Sequence, residues 1–195
     1  MAILKVAQMG HPVLRMVAEP VDPDSIDTPE FQRFCDDLLE TMDEYDGAGL
    51  AAPQVHASIR VAVLTLSDER GPEFFVNPRV VPLTEQTERY YEGCLSVEGL
   101  RAAVDRPAKV RVEALDRYGK PKAYELEGFP AIVVQHEFDH LDGILFVDRC
   151  DTSTLAFLSE YRRWGPLDEL GMEDDELDLL EEDPETDFAT LPQDS

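Results

Sequence analysis

The chain is poor in several things, and each shortage excludes a class. No apolar run reaches the 18 or so residues that a membrane-spanning helix needs, so no span is expected. The N-terminus, Met1-Ala2-Ile3-Leu4-Lys5-Val6, lacks the basic segment and long apolar stretch of a secretory signal. Cysteine is scarce: Cys35, Cys94 and Cys150 are an odd set without a C-x-x-C, which argues against a disulfide framework and for a reducing cytoplasm. Basic residues are few, 17 against 42 acids, for a net charge of −25. That balance repels polyanions such as DNA. Histidine is rarer still, with four in 195 residues.

The acids are uneven. Residues 166–195 hold 13 of them and no Lys or Arg, and read as a flexible acidic tail on one domain, 1–165. Residues 101–122 show the opposite bias, seven basic residues against three acids, and read as a solvated hairpin face.

Periodicity supplies the elements. Thr28-Pro29-Glu30 opens a helix, with Phe31, Phe34, Leu38, Met42 and Tyr45 on one stripe and Gly47 ending it. Strands are expected at Ile59–Leu66, at Phe74–Val76 before Asn77-Pro78, and within Val80–Tyr91. Lys109–Ala114 alternates, Arg117–Lys120 turns, and Lys122–Leu126 returns as its partner. Gly128-Phe129-Pro130 then starts a buried helix that Gly143 stops, and a last helix is expected over Ser153–Trp164. Strands clustered before a central helix predict an α+β fold.

Two of the four histidines fall in His136-Glu137-Phe138-Asp139-His140, an H-E-x-x-H on the central helix. Residues four apart share a helix face, so His136 and His140 can hold one metal ion while Glu137 reaches a water bound to it. The third ligand is open on this evidence. A metzincin pattern fails because Phe146 stands at its last histidine position. Glu160, in the downstream helix, would make a metallopeptidase; Cys94 would add a thiolate and leave one position for water.

Three segments in order resolve the choice by resemblance: Gly47-Ala48-Gly49-Leu50-Ala51-Ala52-Pro53-Gln54, Glu92-Gly93-Cys94-Leu95-Ser96 and Gln135-His136-Glu137-Phe138-Asp139-His140. Together they resemble the signature segments of the peptide deformylases, and the likeness runs from Ile3 to about Phe157. The family's fold implies antiparallel sheets packed around the helix that carries the histidines. The resemblance implies an enzyme that removes the N-formyl group from the initiator methionine of new proteins. It implies Fe2+, replaceable by Zn2+, Ni2+ or Co2+, on Cys94, His136 and His140. A metal-activated water would attack the formyl carbonyl, with Glu137 as base and then acid, and with the Gln54 amide and the Leu95 backbone N–H on the oxyanion.

Gly47, Ala48 and Gly49 would let the backbone run close to substrate; Phe129, Ile132 and Val133 would line the methionine slot, and Arg101 would contact the peptide beyond it. Glu98, where the family commonly has proline, and Phe138, often methionine, depart from the pattern. The expected partner is the formyl-Met nascent chain, with possible ribosome contact through the 101–122 face or Arg162-Arg163, weakened by the acidic tail. A monomer is expected, and a non-catalytic binding module remains the alternative from another class.

Overall fold

The structure is a computed structural model that describes residues 2–67 and 70–166; the acidic tail, apart from Pro166, lies outside the described residues. Helix α1 spans Pro29–Glu44, with the Thr28 hydroxyl accepting the Phe31 amide at its start. Its buried stripe is Phe31, Cys35, Leu38 and Met42; Phe34 is half-buried and Tyr45 exposed. Burial pushes the Cys35 thiol pKa up to about 12, so it behaves as a small hydrophobe. Gly47 is not the residue that ends the helix. Asp46 takes the left-handed position (φ 55°), and the Gly47 amide folds back onto the Met42 carbonyl at 3.0 Å.

The strands form two antiparallel groups. One sheet has five strands in the order β1 (Gly49–Ala51), β2 (Val61–Thr65), β3 (Pro72–Pro82), β6 (Lys109–Leu115) and β7 (Pro121–Glu127). The other has β4 (Thr87–Cys94), β5 (Val97–Pro107) and β8 (Ala156–Phe157). Helix α2 (Phe129–Leu141) packs against strands of both sheets and is buried along nearly its whole length. The fold is α+β: antiparallel sheets around a central helix. No helix among the described residues is long and apolar enough to cross a membrane.

Three expectations are corrected. The strand expected to stop before Asn77-Pro78 runs on through them, because a register shift between Val76 and Arg79 absorbs both residues, with Asn77 at φ 50°. Val80–Pro82 thus belong to that strand, and the strand expected within Val80–Tyr91 starts at Thr87 and runs on to Cys94. The 101–122 segment is not one solvated face: its first part belongs to β5, where Ala102, Ala103, Val104 and Arg106 are buried. The last helix starts at Leu158, not Ser153. Asp151 caps a 3-10 turn over Thr152–Thr154, and Ala156–Phe157 then pairs with Leu100–Arg101 as a strand, which leaves helix α3 only Leu158–Trp164.

Candidate metal centre and active site

Helical spacing sets His136 and His140 on one face of α2, with ring centroids 5.1 Å apart. Cys94 comes from the end of β4. A register shift between Glu92 and Cys94 and the tight turn that pairs Cys94 with Val97 direct its thiol at that face. Cys94 Sγ lies 3.3 Å from His140 Nε2. The ligand atoms of Cys94, His136 and His140 all fall within 4.8 Å of one another. Tetrahedral bonds of about 2.0–2.3 Å require donor separations of about 3.3–3.8 Å, so the three suit one small divalent cation.

Side-chain hydrogen bonding fixes the donors. His136 Nδ1 is 2.7 Å from Glu92 Oε2. A carboxylate only accepts, so Nδ1 donates to it and Nε2 is the nitrogen left to face a cation. Burial disfavours charge on His136, but hydrogen bonds with Cys94 and Glu92 hold its pKa at about 10. Burial and the charge of His136 hold His140 well below the usual imidazole range. A cation bound at Nε2 would take the place of the proton that these contacts favour on His136.

Glu92 is itself held. Buried Arg106 donates to both its oxygens through Nε and Nη2, and through Nη1 to Asp139 Oδ2 at 2.8 Å. Arg149 closes the row on Asp139 with two bonds, at 2.7 and 2.8 Å. Two acids and two guanidiniums thus alternate from the surface to His136. Sequence reasoning missed Arg106, Asp139 and Arg149 as supports. The signal was Glu92 itself: a buried acid two residues from a candidate ligand needs a cation beside it.

Glu137 is 5% exposed, and its Oε2 has no partner among the described residues. Burial pushes its pKa up to about 7. It packs on Gly49, where a Cβ would come within 2.7 Å of Glu137 Cγ. Buried Gln54 is oriented by the Ala51 amide, which donates to its Oε1 at 2.8 Å. Its Nε2 points at Cys94 Sγ (3.5 Å) and Ser96 Oγ (3.3 Å).

These groups open on a cleft of about 610 Å³, which Gly47, Ala48, Leu95, Phe129, Ile132 and Val133 also line. Ile132 and Val133 are buried, whereas Phe129 is 55% exposed at the rim. Arg101 lines the cleft across Gly93, where a Cβ would overlap its Nη1 at 1.0 Å. Glu98 falls within β5 and lines the cleft too, in the stretch where the pairing of β5 with β4 is interrupted. Glu160 is exposed and accepts the Trp164 indole N–H at 3.2 Å. It is not part of the Cys94, His136, His140 group, and the Glu160-ligated reading fails.

Fold and donor set together define a class: an α+β enzyme scaffold with, among the described residues, one candidate metal centre at the base of a peptide-sized cleft. The sequence profile of the polypeptide deformylases matches residues 3–155. A peptide deformylase from Stutzerimonas stutzeri is 50% identical over 149 residues, 76% of this chain and 87% of its own. One from Pseudomonas aeruginosa is 46% identical over 153 residues, 78% of this chain and 89% of its own. The actinonin-bound crystal structure of a class I type b peptide deformylase from Acinetobacter baumannii superposes with a TM-score of 0.73 at 36% identity. That match covers 77% of this chain and 100% of the other. The chain belongs to the polypeptide deformylase family, whose members are enzymes that take the formyl group from the N-terminus of new proteins.

Proposed function

We propose that this cleft deformylates formyl-methionyl nascent chains in the cytoplasm, with Cys94, His136 and His140 holding one Fe2+ that Zn2+, Ni2+ or Co2+ can replace. The buried, unpartnered Oε2 of Glu137 beside three converging donor atoms carries this reading. The bound cation supplies Lewis acidity, which makes water a nucleophile near neutral pH and polarises the formyl carbonyl.

The chain's own residues do the rest. Glu137, with a pKa near 7, accepts the proton of the attacking water at its free oxygen and returns it to the departing amine. The Gln54 amide, held by Ala51, and the Leu95 backbone N–H donate to the oxygen that becomes negative in the transition state. Ile132 and Val133 form the dry wall for the methionine side chain, and Phe129 closes its outer end. Gly47, Ala48 and Gly49 keep the cleft narrow, and Arg101 faces the peptide beyond methionine. Arg162 and Arg163, both exposed, are the basic groups offered to ribosomal RNA. The protein acts as a monomer.

The test is turnover of formyl-Met-Ala-Ser by anaerobically prepared protein, with loss of bound cation in Cys94→Ala. Retention of the cation in Cys94→Ala would overturn the ligand set.

A further inference from the structure

The family match ends at residue 155, yet the chain continues as β8 and α3, and these return to the active site. Phe157 pairs with Leu100, and Ala156 with Arg101, which fastens the segment to the strand that borders the cleft. Leu158 and Tyr161 of α3 then line the same cavity as Glu137 and His136. The Tyr161 ring lies 5.0 Å from that of Tyr91 on β4, tilted by 34°.

We propose that Leu158 and Tyr161, with Tyr91, form the subsite for the second and third residues of the formyl-peptide and favour bulky apolar or aromatic side chains there. The proposal rests on the deformylase reading and names a specificity which that reading leaves open.

Strand geometry sets the scale. Tyr91 precedes Cys94 by three residues on β4, and three residues span at most about 10 Å, so their Cα atoms stand within about that distance. An extended peptide with its formyl carbon at the metal centre covers that distance in about three residues. Its second and third side chains therefore reach the wall that Tyr91, Leu158 and Tyr161 build. Aromatic faces hold apolar and aromatic side chains by burial and by offset ring contact. No residue of α3 is buried, and only Leu158 and Tyr161 of its apolar residues line the cavity; its packing serves the cleft and not a core.

The experiment compares formyl-Met-Phe-Phe-amide with formyl-Met-Gly-Gly-amide on the full-length, metal-loaded protein. Wild type prefers the first. Tyr161→Ala and Leu158→Ala raise its KM and lower its kcat/KM about five- to tenfold more than for the second substrate, the order expected for one lost aromatic contact. Tyr161→Phe keeps the preference. Equal losses on both substrates, or no preference in wild type, overturn the proposal. Calorimetric binding of Met-Phe-Phe-amide and Met-Gly-Gly-amide to the same proteins separates the two readings. Discrimination in binding without turnover supports the subsite and defeats the deformylase reading; turnover without discrimination does the reverse. Because no residue of α3 is fully buried, the melting temperatures of the variants stay close to that of wild type.

Discussion

Glu137 leans on Gly49 so closely that a Cβ there would stand 2.7 Å from its Cγ and 2.9 Å from its Oε1. The absent side chain on β1 therefore makes room for the carboxylate on α2 to which we assign the proton transfer. Gly49→Ala displaces the carboxylate from its place beside the ligands. The expected result is a loss of kcat on formyl-Met-Ala-Ser of about 10²-fold, the scale of a misplaced catalytic group. Bound cation, measured by elemental analysis, remains, because no ligand moves with Gly49.

The row His136, Glu92, Arg106, Asp139 and Arg149 predicts a separate effect. Glu92→Gln keeps the shape but weakens the hold on the His136 N–H, and lowers cation affinity about 10- to 100-fold in a chelator competition. Arg106→Met is worse for the fold. It removes the guanidinium between two buried carboxylates, leaving Glu92 only His136 and Asp139 only Arg149, and urea unfolding should register a loss of about 3–5 kcal/mol.

Away from the cleft, Glu73 on β3 controls part of the acid limb of stability. Burial pushes its carboxyl up, but hydrogen bonds from Tyr124 and Lys122 overcome this and hold it below the ordinary 4.5. A depressed folded pKa stabilises the fold above the unfolded value, and that stability disappears as pH falls through the folded value. Urea unfolding of wild type and Glu73→Gln should differ by a constant amount above about pH 5.5. The difference should shrink below pH 4.5. A gap independent of pH would contradict the assignment.

The acidic C-terminal residues predict the effect of their removal. Thirteen acids with no compensating base oppose contact with RNA phosphates. Truncation after Gly165 should strengthen cosedimentation with ribosomes at low salt, and added salt should erase the gain. Unchanged cosedimentation would exclude that role for residues 166–195.

Much of this was legible in the sequence because the deciding signals are local. Thr28-Pro29 caps α1 through a bond three residues long, and the 3.6-residue period of α2 puts His136 and His140 together whatever surrounds them. Cys94 became a candidate ligand only in company with Gln54 and Glu137, since no local rule separates a ligand thiol from a buried one such as Cys35. What escaped depends on residues far apart in the chain. Arg106 looked like one of seven surface cations; it is buried because Glu92 and Asp139, from two other elements, meet it there. The helix expected from Ser153 lost its first turn because Leu100 and Arg101 offered a strand edge. Pairing partners set that boundary, and helix propensity did not.

The central claim is that Glu137 moves the proton for deformylation while Cys94, His136 and His140 hold the cation. Its most direct test is Glu137→Gln, assayed anaerobically with formyl-Met-Ala-Ser alongside elemental analysis. One bound cation per chain is expected, as in wild type, with kcat reduced about 10²–10⁴-fold, the contribution typical of a positioned general base. Full activity in the variant, or loss of the cation with the activity, would contradict it.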